Sequence, residues 1–126
     1  MVQIELGTHK CVLATNLKVM FKLKDITGLK TLQEAMNAVG KLDMDGQLDF
    51  LYAAYNAYKD NLPMTKAEFT DYLLEHAGVF KLTEYIEAVT EGILYNGMSK
   101  EEVDEKKELI AKNLPAGMNS SNTDID

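Results

Sequence analysis

Val2, Ile4 and Leu6 alternate with Gln3 and Glu5, the period-two pattern of a strand that buries one face. Gly7, Thr8, His9 and Lys10 predict a turn, and Cys11, Val12, Leu13 and Ala14 a returning strand, so residues 1–15 predict a hairpin. A two-stranded hairpin is marginal in water by itself and must pack on helices or pair with another chain. Its unpaired edges are rails on which a further strand can dock.

Beyond the hairpin the apolar period changes to that of helices. Thr15 or Asn16 is suited to cap a helix in which Leu17, Met20, Phe21 and Lys24 share one face and Val19, Leu23 and Ile26 another, with Gly28 as its end. Three copies of a helix-start signal follow: Thr31-x-x-Glu34, Thr65-x-x-Glu68 and Ser99-x-x-Glu102. In each, the hydroxyl is expected to accept from an amide of the first turn while the glutamate reaches back to the cap. Thr31 opens a short helix with Leu32, Ala35, Met36 and Val39 in register, closed by Gly40.

Residues 45–60 predict the central helix. Leu48, Leu51, Tyr52 and Tyr55 form a stripe, Phe50, Ala54 and Ala57 widen it, and only a line through Asp49, Asn56 and Asp60 is polar. A helix apolar nearly all round is buried on several sides. Thr65 then starts a helix with Phe69, Tyr72, Leu73 and His76 on one face and Gly78 as the stop. The segment 80–96 carries one seam of Leu82, Ile86, Val89 and Ile93 and a second of Tyr85, Ala88, Gly92 and Tyr95. A mid-helix glycine costs about 1 kcal/mol relative to alanine, and close approach of another backbone at Ala88 and Gly92 would offset it.

The last helix, 99–114, differs in kind. Glu102 and Lys106, and Glu108 and Lys112, are spaced for ion pairs, while the apolar content is limited to Val103, Ile110 and Leu114, with Leu109 beside them. Such a helix is expected to dock loosely. Residues 115–126 are small and polar and predict a disordered tail. The pattern as a whole predicts one domain over residues 1–114 of the α+β class, mainly α: a short N-terminal hairpin packed on a compact bundle of about five to six short helices.

Composition narrows the function classes. The 126 residues hold 46% hydrophobic side chains, enough for one core, and no apolar run approaches the ~20 residues needed to cross a bilayer. The opening residues lack the basic-then-apolar order of a secretory signal, and the lone Cys11 has no internal disulfide partner, so a cytoplasmic setting is expected. Net charge is −7 but unevenly spread. Residues 1–30 carry five lysines against Glu5 and Asp25, a net +3, whereas the rest carry eight lysines against 18 acids, a net −10. All 13 basic residues are lysine, which removes bidentate arginine recognition of phosphate or guanine, and the acidic total repels a polyanion. Neither nucleic acid nor a membrane is an expected partner.

Candidate chemistry is thin. Asp43, Asp45, Gly46 and Asp49 resemble a calcium loop, but with Gly46 at the sixth position Lys41 falls first and Tyr52 twelfth, where oxygen ligands are required. A turn before a helix, with acids at its positive end, accounts for the same residues. His9, Cys11 and His76 lack metal-ligand spacing; His9 is expected in a turn, Cys11 in the core, and His76 as a cap on the last carbonyls of its helix. No phosphate loop, nucleophile elbow or zinc-protease element occurs. No catalytic residue, metal ligand or cofactor is assigned, and an enzyme is not expected.

The order of elements carries a resemblance. The hairpin VQIELGTHKCVLAT runs into the lysine-rich NLKVMFKLKDITG, followed by TLQEAM, QLDFLYAAYNAYKD, MTKAEFTDYLLEH and EYIEAVTEGI. Over residues 2–96 this layout resembles the tail assembly chaperone family of long-tailed bacteriophages of Gram-positive hosts. The resemblance implies a mainly helical protein of the infected cell's cytoplasm, absent from the mature virion. It further implies that the protein binds and solubilises the tape measure protein, helps the major tail protein polymerise around it, and self-associates. On that expectation, self-association involves the hairpin edge at Val2, Ile4 and Leu6 with Lys18 and Lys22 of the first helix, and partner binding involves Val103, Ile110 and Leu114. The competing expectation is a small acidic regulatory adaptor or antitoxin-like protein that binds one folded partner.

Overall fold

The computed structural model describes residues 1–31, 33–35 and 43–112, apart from the side chains of Ile110 and Lys112. Leu32, Met36, Val39, Gly40, Leu114 and the expected tail 115–126 lie outside the described residues. The fold is α+β and mainly α. Strands β1 (Val2–Leu6) and β2 (His9–Leu13) precede helices α1 (Lys18–Thr27), α2 (Met44–Ala57), α3 (Lys66–His76), α4 (Val79–Tyr95) and α5 (Lys100–Lys112). Where the sequence pattern places 1–114 in one domain, the chain divides into two compact units, Met1–Asn96 and Gly97–Asp126. Gly97, at φ 87, takes a left-handed turn at that division.

β1 and β2 pair antiparallel with Leu6 opposite His9 and Val2 opposite Leu13. The turn is therefore tighter than the four residues expected: Gly7 and Thr8 alone make it, and β2 begins at His9. Gly7 has φ 66 while Thr8 does not have positive φ, the type II′ signature of glycine at the first central position.

α2 is the hub of the first unit. Leu48, Phe50, Leu51, Ala53, Ala54 and Tyr55 are all buried, as a helix apolar on several sides requires, and α1, β2, α3 and α4 pack around it. Each fully buried large apolar side chain contributes about 1.5–3 kcal/mol, so this helix holds much of the core. Tyr55 and Tyr52 place their rings 4.8 and 5.7 Å from that of Phe69 on α3. Asp49, on the polar line of α2, forms an ion pair with Lys66 at the start of α3. The would-be calcium loop is a helix start: the Asp43 carboxylate accepts from the Gly46 N–H at 2.8 Å.

α1 buries Val19, Met20 and Leu23, whereas Leu17 and Phe21 of the first expected face remain exposed. Its cap position is Leu17, preceded by Asn16, whose side chain accepts from the Lys18 N–H at 3.0 Å, and Gly28 ends it in the left-handed conformation.

The three helix-start signals differ in completeness. Thr65 forms the reciprocal box, accepting from the Glu68 N–H at 3.1 Å while Glu68 accepts from the Thr65 N–H at 3.0 Å. Thr31 accepts from the Glu34 N–H, but the Glu34 carboxylate reaches Lys30 N–H instead of the cap itself. Ser99 accepts from the Glu102 N–H, and its hydroxyl, not its amide, meets the glutamate. Thr65 has the extended backbone of a cap residue, at φ −71 and ψ 162.

Candidate interaction surfaces

The hairpin presents two edges of different character. Val12 donates its N–H to Asn61 Oδ1 at 2.9 Å, and Asn61 Nδ2 donates to the Val12 carbonyl at 2.7 Å. One side-chain amide thus imitates a neighbouring strand. Two residues further on, the Ala14 N–H donates to the Ala54 carbonyl at 3.0 Å. At Val12 and Ala14 the outer edge of β2 is closed by the body of its own unit.

Asn61 is held in place by the rest of its loop. Its Nδ2 also donates to the Tyr55 carbonyl at 2.8 Å, Tyr52 donates its hydroxyl to the Met64 carbonyl at 2.7 Å, and the Tyr55 hydroxyl donates to the Leu62 carbonyl. Two tyrosines one helical turn apart on α2 therefore fix the loop that carries the plug. Burial raises the Tyr55 phenol above its ordinary pKa, so it remains a donor at neutral pH.

Because Val12 points its main-chain groups away from β1, its register partner Gln3 does the same, and alternation puts Glu5 in that class. The two-residue turn gives the same parity, since it is closed by the hydrogen-bonded pair Leu6 and His9. The outer edge of β1 consists of the N–H and C=O groups of Gln3 and Glu5. Both residues are exposed, and among the described residues no partner closes this edge. Ile4 and Leu6, expected at a self-association edge, direct their side chains into the core at 4% and 0% exposure, and Val2 is half-buried. They belong to the edge through their backbone alone, because successive side chains of a strand leave on opposite faces.

Lys18 and Lys22 lie exposed one turn apart on α1. Val103 is half-buried on α5; the Ile110 side chain and Leu114 lie outside the described residues. His76 departs from its expected role as a carbonyl cap: its ring lies against the hairpin turn, where a Cβ on Gly7 would stand 2.7 Å from Nε2. His9 packs its ring 4.3 Å from that of Tyr72, so α3 supports the turn through two aromatic contacts.

Apolar side chains left in solvent are the feature that the periodic pattern does not announce. α4 is apolar along its length, yet only Leu82 and Val89 are buried, and Val79 and Phe80 in its first turn are 67% and 87% exposed. Leu74, in the last turn of α3, is also exposed. A groove of about 330 Å³ lined by Asn16, Leu17, Lys18, Ile93 and Asn96 adds a second apolar area.

The shifted ionisations centre on Tyr55, which is raised first by burial and then by the nearby Cys11, Tyr52 and Glu68. Burial raises the Cys11 thiol, and the Thr65 amide and hydroxyl lower Glu68. Among the described residues no group of three His, Cys, Asp or Glu side chains is placed to hold a metal ion, and no helix is long and apolar enough to cross a membrane. No protein-family model, no curated protein and no solved structure matches the chain.

Proposed function

We propose that this protein is a phage tail assembly chaperone: it binds and solubilises the tape measure protein and promotes tail tube polymerisation, acting through surfaces without catalysis. In this reading it works in the host cytoplasm, leaves before the virion is finished, meets the major tail protein during assembly and acts as several associated copies. The observation that carries the reading is the large apolar surface its helices leave uncovered, above all Val79 and Phe80. Val79 and Phe80 stand next to each other in the first turn of α4, and contiguous exposed apolar side chains mark places where another polypeptide is held. The open β1 edge and the opposed charges of the two chain segments favour self-association, and the element order supports the family.

Val103, Ile110 and Leu114 supply a second seam for amphipathic helices of the tape measure protein, which would lie along it with apolar anchors at helical spacing. Co-expression with a tape measure protein, followed by size exclusion with light scattering, tests the function. A soluble complex containing many copies of the chaperone is expected. A tape measure protein that remains insoluble overturns the reading, and unchanged co-solubility with Ile110→Asp removes the α5 seam from it.

A further inference from the structure

We propose that two copies of this protein join edge to edge through β1 about a two-fold axis at Ile4, extending the hairpin into a four-stranded antiparallel sheet. This specifies the self-association in the reading above and is tested without any client, so either can fail alone.

The choice of edge follows from the asymmetry of the hairpin. β2 is blocked along the Val12–Ala14 half of its edge, because Asn61 occupies both main-chain groups of Val12 and Ala54 accepts from Ala14. β1 can receive a strand, because Gln3 and Glu5 direct N–H and C=O outward from exposed positions. A strand edge with unmet donors and acceptors is a template for another chain.

The register follows from parity and charge. Outward groups must face outward groups, so a two-fold pairing of β1 can be centred only on Gln3, Ile4 or Glu5. Centred on Glu5, the strand opposes Glu5 with Glu5 of the second copy, and like charges directly opposite are unfavourable. Centred on Gln3, it opposes Glu5 with Met1, whose terminal amine is already held by Thr15 Oγ1 at 2.6 Å. Centred on Ile4, it pairs Gln3 with Glu5 of the second copy and Glu5 with its Gln3. That register forms four main-chain hydrogen bonds and sets each carboxylate opposite an amide donor. On the outer face the row then reads Lys10, Glu5, Gln3 of the second copy and its Val12, with no like charges adjacent.

Light scattering of the pure protein is expected to give twice the 14.1 kDa chain mass at tens of micromolar, and a monomer there overturns the proposal. Gln3→Pro removes an outward N–H that the β1–β2 ladder does not use, at an edge position where proline is tolerated. It should weaken dimerisation at least ~10-fold while keeping the far-ultraviolet circular dichroism, and a folded variant that remains fully dimeric overturns the proposal. Should Gln3→Pro fail to fold, cysteine pairs decide. Opposed residues of a hydrogen-bonded pair have Cα atoms about 5.5 Å apart, within disulfide reach. Mixed Gln3→Cys and Glu5→Cys chains should therefore oxidise to a cross-linked heterodimer while neither variant cross-links with itself. Self-cross-linking of either in preference to the mixture overturns the register.

Discussion

Gly92 of α4 meets the main chain of Thr15 so closely that a Cβ added there would stand 2.2 Å from the Thr15 carbonyl oxygen. The small residue lets the strand-to-helix connection lie directly on α4, bringing the N-terminal end of the hairpin and α4 into one core. Gly92→Ala gains about 1 kcal/mol of helix propensity, but the obstructing atoms are the carbonyl group and Cβ of Thr15, which cannot swing aside. A net loss of about 1–3 kcal/mol in urea denaturation is expected, and a variant more stable than wild type would refute this view of the contact.

Asn61 forms three hydrogen bonds to main-chain groups of Val12 and Tyr55, all partly buried. Asn61→Ala leaves those groups without partners. It should cost about 1–3 kcal/mol and, by uncovering the β2 edge, raise the apparent mass in light scattering above that of wild type. Denaturation and scattering on the same samples separate the two effects.

Glu68 is held below the ordinary carboxylate range by the Thr65 amide and then by the Thr65 hydroxyl. Its folded pKa is lower than its unfolded one, so its contribution is fully present above the unfolded value and is lost as pH falls through the folded value. Thr65→Ala should move the Glu68 midpoint upward, read from its side-chain carbon shift during acid titration. Glu68→Gln should flatten the acid limb of stability against pH. An unmoved midpoint in Thr65→Ala would show that the hydroxyl takes no part in setting this ionisation, leaving the Thr65 amide alone.

Phe80 touches little within its own unit, being 87% exposed. Phe80→Ser is therefore expected to alter stability by no more than about 0.5 kcal/mol in thermal or chemical denaturation. Under the proposed function it should nonetheless reduce the yield of soluble tape measure complex. A drop in stability larger than that would mean the side chain serves the fold, and unchanged yield would remove this corner from the binding surface.

The local elements were legible because each rests on contacts a few residues apart. Alternation at Val2, Ile4 and Leu6, the box at Thr65 and Glu68, and the nearly all-apolar α2 are near-neighbour effects. The small pair Ala88 and Gly92 also announced a close backbone approach, which Thr15 makes. The place of His76 in the last turn of its helix suggests a local role, but its ring meets the hairpin turn across 69 positions of sequence.

By itself, then, the sequence determined the secondary structure, the α+β class and the buried face of most elements, since periodicity and caps act within a turn or two. Tertiary structure alone decided which hairpin edge is closed and which apolar side chains stay in water. Asn61 is 49 residues from Val12, and nothing in a polar loop residue indicates which strand it will plug. Phe80 and Phe69 are the same residue on two helices, one uncovered and the other wholly buried. Burial depends on what arrives from elsewhere in the chain, and a residue's own neighbours do not record it.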